Sequence, residues 1–254
     1  MKRLAALTCL AMVVAGCADS APPTILDHPA RYGEPVALPL PDTKGSVPLE
    51  EVISNRRSTR NYADTPLTIE QIGQLLWAGQ GITDERRGYR AAPSAGALYP
   101  LELYVITADE VLHYRPEDHS VRTRADSRVA TELRAAAFDQ PAVERAPAVI
   151  AIAAVESRTE AKYGGIGGRL VDREAGHAAQ NILLQAVALD LVAVPIGGLD
   201  PPLVEDLLAL PPDHEVLYLI PVGSPGLTSS APRPGWRAMI LHGRRPTTDG
   251  AGLA

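Results

Sequence analysis

The sequence predicts an α+β fold, and three observations carry that expectation. Ala148 to Val155 is a nearly continuous apolar run, too short for a stable buried helix and therefore read as a central strand. Leu101 to Thr107 and Val111 to Tyr114 flank the turn Ala108-Asp109-Glu110, which is the pattern of a hairpin. From Arg169 to Leu191 apolar and small residues recur with helical period, placing Leu170, Glu174, His177, Asn181, Leu184 and Ala188 on one stripe. Helices and strands do not alternate strictly, so a doubly wound parallel sheet is not expected.

The remaining elements follow in order. Pro48 opens a short helix whose Leu49, Val52, Ile53 and Arg56 share a face. Thr68 with Gln71 makes a capping box for a second helix, in which Ile69, Ile72, Leu75, Leu76 and Gly79 keep helical spacing. Asp126 to Phe138 reads as helical, Leu191 to Ile196 and Glu215 to Val222 as strands, and Asp200-Pro201 caps a further helix. Trp236 to His242 is read as a last strand.

At 46% apolar and 21% charged, the 254 residues describe a globular chain, which excludes disorder, collagen and coiled coil. The formal charge of −6 argues against a nucleic-acid binder, whose affinity rests on basic residues. Lys2 and Arg3 precede an apolar run from Leu4 to Val14, then Ala15 and Gly16 lead to Cys17. That is the pattern of an export signal, and Val14-Ala15-Gly16-Cys17 is similar to a bacterial lipobox. The expectation is a signal peptide over 1–16, lipidation at Cys17 with membrane anchoring, and a proline-rich tether over 17–45. A single domain over 46–246 and a tail over 247–254 complete the chain. Because both cysteines, Cys9 and Cys17, fall in this leader, disulfides, cysteine–zinc sites and thiol nucleophiles leave consideration.

Several short segments could carry chemistry. Arg56, Arg57, Ser58 and Arg60 crowd three guanidinium groups into five residues, useful where a dianion is gripped bidentately; a charged surface turn is the alternative. Arg244 and Arg245 form a second basic pair. The small residues of Ala92-Pro93-Ser94-Ala95-Gly96-Ala97, running to Tyr99-Pro100, let backbone approach a flat ligand, and Pro195-Ile196-Gly197-Gly198 is the same kind of object. Gly164 to Gly168 fails the dinucleotide spacing, because the third required position falls on Leu170. Just before it, Lys162 and Tyr163 can donate or accept a proton. His177 and Asn181 are read as buried, hydrogen-bonded residues. The histidines show no paired metal spacing, and no Gly-x-Ser-x-Gly elbow occurs.

Pro48 to Glu51 with Arg56 to Tyr62, Ala92 to Tyr104, Lys162-Tyr163, Glu174 to Asn181 and Pro195-Ile196-Gly197 together resemble a known family. It is the SagB-type (thiazole/oxazole-forming) dehydrogenase branch of the FMN-dependent nitroreductase-like superfamily. The likeness spans roughly residues 38 to 246. It implies an antiparallel-rich central sheet flanked by helices and a homodimer with FMN at the subunit interface. On the matching positions, Arg56 and Ser58 would contact the flavin phosphate, Arg57 the ribityl chain, and Arg60 the N1/O2 edge of the ring. Pro93, Ser94, Ala95, Gly96 and Ala97 would pass along the ring, and Pro195, Ile196, Gly197 and Gly198 near N5, while Arg244 would close on the phosphate. Lys162 and Tyr163 match the pair that handles the substrate proton in azoline-oxidising relatives. This sequence departs from them at Ile166 and Gly168, where relatives carry an arginine and an aromatic residue. The function so implied is an exported, lipid-anchored FMN-dependent oxidoreductase of a small organic substrate. A nitro or quinone reductase is the first alternative, and a non-catalytic flavin-binding or scaffold lipoprotein the second.

Overall fold

The computed structural model describes residues 32–226. The signal peptide, Cys17, the strand expected at Trp236 to His242, Arg244 and Arg245 lie outside the described residues.

In chain order the elements are β1 (Val36–Ala37), α1 (Leu49–Asn55), α2 (Ile69–Gln80), β2 (Ile82–Asp84), β3 (Tyr89–Arg90), β4 (Leu101–Ile106), β5 (Glu110–Arg115), β6 (Ser120–Ala125), α3 (Arg128–Ala136), α4 (Pro141–Arg145), β7 (Ala148–Ala154), α5 (Ser157–Tyr163), α6 (Gly167–Ala188), β8 (Val192–Ala193), α7 (Pro201–Leu208) and β9 (Glu215–Gly223). Among the described residues seven strands form one sheet in the order β1-β6-β5-β4-β7-β9-β8, with every pairing between them antiparallel. β2 and β3 make a separate small hairpin.

Local chemistry explains the boundaries. The Thr68–Gln71 capping box forms as expected, with Thr68 N–H donating to Gln71 Oε1 at 2.9 Å and Gln71 N–H to Thr68 Oγ1 at 3.3 Å. Asp200 caps α7 by accepting from Leu203 N–H, and Pro201 occupies the first helical position, where no donor is needed. β7 is buried along its whole length because helices cover both faces of the sheet there. One face sets Leu103, Val105, Ile150 and Ile152 against α2 and α6. The other sets Tyr104, Ile106, Val149 and Ala151 against α3 and α7.

Five differences from the sequence expectation have physical reasons. β6 reads as polar because it lies near the sheet edge, and α4 is a single short helix opened by Pro141. The strand expected over Leu191 to Ile196 pairs only at Val192–Ala193 before Pro195 interrupts it, and resumes as a lone bridge from Ile196 to Leu219. The buried face of α6 runs through Val171, Ala175, Ala178, Ile182 and Ala186, so His177, expected inside, is exposed. The folded body also reaches back into the expected tether, where β1 pairs with β6 and Leu38 enters the core.

Helix α2 approaches α6 and β4 through Gly79, where a Cβ would come within 3.0 Å of Ile182 Cδ1 and Leu103 Cδ1. Ile182 is fully buried at that three-way contact. Ile182→Ala is expected to cost about 2–5 kcal/mol of stability, read by urea unfolding; a loss under about 1 kcal/mol would show that the contact collapses around the gap.

Candidate active site

The arginine segment follows directly from α1. Arg57 Nη1 donates to Ser54 O at 2.9 Å and Arg56 O at 2.8 Å, so this guanidinium satisfies carbonyls at the end of α1. Ser58 bridges to Ala193 in parallel sense, and Thr59 N–H donates to Ala193 O at 3.2 Å. Buried Tyr62 fixes the segment from below, its hydroxyl donating to Thr59 O at 3.1 Å. The stretch holding Arg56, Ser58 and Arg60 is thereby laid along β8, immediately before Pro195-Ile196-Gly197-Gly198. Ile196 exchanges both backbone hydrogen bonds with Leu219, at 2.8 and 2.9 Å, while Gly197 and Gly198 remain exposed. Gln140 Nε2 donates to Gly198 O at 2.9 Å.

A second group of expected residues meets at the turn Ser94 to Tyr99. Its backbone is left-handed at Gly96 (φ 65°), Ala97 (φ 55°) and Tyr99 (φ 47°). Each such non-glycine position costs about 1–2 kcal/mol unless its surroundings hold it. Tyr99 is held on every side. Its N–H donates to Ser94 Oγ at 2.9 Å, and its carbonyl accepts from Arg158 Nη1 at 3.2 Å. Its hydroxyl accepts from Arg90 N–H at 3.2 Å, and the Arg90 guanidinium carbon lies 4.8 Å from its ring centroid. At the exposed crest, a Cβ on Gly96 would stand 2.8 Å from Lys162 Nζ and 3.0 Å from Tyr163 OH. Glycine is favoured there by conformation, and a Cβ would push on the Lys162 and Tyr163 side chains. Lys162 and Tyr163, at the end of α5, are thus set against the Pro93 to Ala97 segment.

Both groups are carried by α6, which packs against α1 and against this turn. Two clefts of about 480 and 310 Å³ lie elsewhere, one lined by Glu156, Pro201 and His214, the other by Ile106, Ala130 and Pro147. Among the described residues no cluster of histidine, cysteine and carboxylate side chains can hold a metal.

Three residues of this region were not singled out for chemistry by sequence reasoning. Arg90 donates through Nη1 to Gln80 Oε1 at 3.1 Å. Arg158 pairs with Glu102 at 2.7 Å, and Glu102 in turn meets His113 Nε2 at 2.9 Å. Burial works against the Glu102 charge, yet the His113 hydrogen bond and the Arg158 field hold its carboxyl below the usual range. Glu174 is buried at 2% exposure on α6, with Oε1 unpartnered. Burial pushes its carboxyl up to about 7 against opposing pulls from a Ser94 hydrogen bond and the Arg90 charge. Its signal in the sequence was a carboxylate on the apolar stripe of the long helix. Asn181 is hydrogen-bonded as expected, its Nδ2 donating to Ala91 O at 3.3 Å.

A model of the nitroreductase family matches residues 53–224, more than half of the chain. This chain belongs to the nitroreductase family. It is an oxidoreductase with the nitroreductase-like fold. A Methanocaldococcus jannaschii protein provisionally named a nitroreductase is 40% identical over 197 residues, covering 75% of this chain and 98% of that protein. The crystal structure of a Ralstonia eutropha protein, also provisionally named a nitroreductase, superposes with a TM-score of 0.69 at 26% identity. It covers 79% of this chain and 99% of that one. The NADPH:FMN oxidoreductase of Vibrio harveyi shares the fold at 23% identity and a TM-score of 0.54, covering 79% of each chain.

In this nitroreductase-family chain the raised Glu174 carboxyl gives a pH dependence of definite sign. The native state keeps a proton to about pH 7 that the unfolded chain releases near its ordinary value of 4.5. Stability therefore falls as pH rises through that window and levels off above it. Relative to the native chain, Glu174→Gln should gain about 2–3 kcal/mol between pH 5 and pH 8, measured by denaturant unfolding at the two pH values. An equal difference at both would mean that the carboxyl is hydrated.

Proposed function

We propose that this nitroreductase-family oxidoreductase binds FMN against the segments Arg56 to Arg60, Pro93 to Ala97 and Pro195 to Gly198. We further propose that it oxidises or reduces a small organic substrate in the manner of the SagB-type dehydrogenases. The observation that carries this reading is the crest of the 94–99 turn. Gly96 itself carries no side chain, and Lys162 Nζ and Tyr163 OH come within 2.8 and 3.0 Å of where its Cβ would be. The turn therefore sets two proton-handling groups over a stretch of backbone that carries no side chain of its own.

The residues present fit the cofactor chemically. Arg56 and Ser58 would hold its phosphate by charge-assisted hydrogen bonds, together with Arg244 from outside the described residues. Arg57, whose Nη1 is engaged at the end of α1, would turn its other nitrogens to the ribityl chain. Arg60 is exposed on the same segment and would place a cation at the N1/O2 edge. When bound, the flavin supplies a two-electron hydride acceptor and donor. The protein's part is to orient it, to stabilise negative charge at that edge through Arg60, and to hold or move the substrate proton through Lys162 and Tyr163. Leu49 and Ile53 expose apolar surface on one face of α1, which supports burial against a second copy and a homodimeric site. The leader supports export to the periplasmic or cell-surface side with a lipid anchor at Cys17. There nicotinamide donors are scarce, which favours oxidation of an organic substrate over reduction driven by NAD(P)H.

A second reading is reduction of nitro-aromatic compounds or quinones, favoured by the name given to the Methanocaldococcus jannaschii relative. Reoxidation of the reduced protein by a quinone or a nitro compound, at a rate above that of free FMN, would select it.

The purified protein is expected to show flavin absorbance or to take up FMN on titration, and a chain that cannot be loaded would overturn the proposal. Arg56→Ala should weaken FMN binding by about 1.5–3 kcal/mol, and unchanged affinity would remove Arg56 from the site. Lys162→Ala and Tyr163→Phe should lower turnover while leaving the flavin spectrum intact; full turnover in both would make their assigned roles wrong.

A further inference from the structure

Glu174 lies beneath the turn that the proposed function treats as the flavin surface. The Ser94 side chain lies beside the Glu174 carboxyl, and the same Ser94 Oγ accepts the Tyr99 N–H at 2.9 Å. Ser94 therefore stands between Glu174 on α6 and the left-handed Tyr99. The turn that it closes carries Gly96, against which Lys162 and Tyr163 are set. The other carboxyl oxygen, Oε1, meets no partner among the described residues.

We propose that Glu174 is a positioning residue of this site: its buried carboxyl, acting through Ser94, holds the 94–99 turn down on α6 and so sets where Lys162 and Tyr163 stand. The consequence for the flavin and its substrate rests on the reading given above, whereas the coupling of Glu174 to the turn does not.

The physical logic is one of solvation. A neutral carboxyl tolerates the enclosed position, while the anion gains by admitting water to Oε1, and lifting the turn is a way to admit it. Arg90 of β3 is the charged group whose field reaches the carboxyl. Helix α2 presents the neutral Gln80, which is already engaged by Arg90. Lys162 and Tyr163 of α5 reach the turn at Gly96, and strands β4, β7, β8 and β9 present apolar residues to α6. On α6 itself Asp172, Arg173 and His177 are exposed. The turn should therefore open more often as Glu174 ionises. Glutamine is close in shape to the neutral acid, keeps an acceptor for Ser94 and does not ionise.

The test is amide hydrogen exchange at Tyr99 in the full-length protein, comparing the native chain with Glu174→Gln from about pH 5.5 to about pH 8.5. The ratio of the two rates at each pH removes the intrinsic pH dependence of exchange. The ratio of native to variant rate should rise by at least about tenfold from the acid end to the alkaline end, within what a shift of this size allows. A flat ratio overturns the proposal. Ser94→Ala gives an independent check: Tyr99 exchange should quicken while Leu103 and Val105 in β4 are unaffected, and an unaltered Tyr99 again overturns it. FMN titrations over the same range should show the native chain losing affinity relative to Glu174→Gln toward alkaline pH. If the exchange pattern appears but no FMN is taken up, the coupling of Glu174 to the turn stands and the flavin reading falls.

Discussion

The close seating of α6 on the sheet is the constraint from which the rest of the arrangement follows. Its buried face is largely alanine, at positions 175, 178, 179 and 186, with Val171 and Ile182 filling the wider gaps. Small side chains let helix and sheet backbones approach closely, and Gly79 lets α2 do the same from beside it. Because α6 is 22 residues long, its one buried face is shared among α1, α2, α5, four strands and the 94–99 turn. Residues far apart in the chain are thereby held at fixed positions by a single rigid rod.

The carboxyl of Glu174 enters this apolar layer where the 94–99 turn meets it. The turn keeps an unfavourable backbone at Ala97 and Tyr99, and the contacts that offset the cost are themselves partly buried and charged. Arg90 lies on Tyr99 and also reaches Gln80, while Arg158 links the turn to the Glu102–His113 pair on the opposite face of the sheet. A buried network of this sort is expensive when a partner is missing and specifies one geometry when complete. Strain held in that way is a recognised property of functional loops.

What the sequence reveals follows from how local each feature is. The capping box at Thr68, the Asp200 cap, the 101–114 hairpin and the apolar run of β7 depend on neighbours a few residues away, and all are legible. The buried face of α6 was misplaced because polar Glu174 and Asn181 draw the eye to one stripe. The true face is marked instead by alanine, which carries little hydrophobic signal of its own. The short strand β8 was overextended because Val194 and Ile196 are apolar and buried without belonging to a ladder strand. Of the site, the candidate segments could be named from residue type and order. Their meetings, Ser58 beside Ala193 and Gly96 beside Lys162, span about 70 to 135 residues of chain and follow from no local rule. Arg90 and Arg158 gave no signal because an isolated arginine reads as surface until its partner is seen.

The seven-stranded sheet ends, among the described residues, in two-residue strands on both sides, β1 at one margin and β8 at the other. Beyond β1 the outer ladder of β6 carries Arg122 and Arg124, and Gly33 takes the Thr123 carbonyl. The long apolar strands β4 and β7 are therefore interior to the sheet, paired on both sides and not presented as templates for addition of another chain. Such margins protect against open-ended polymerisation through strand pairing, a hazard that grows wherever many copies are crowded onto a small area.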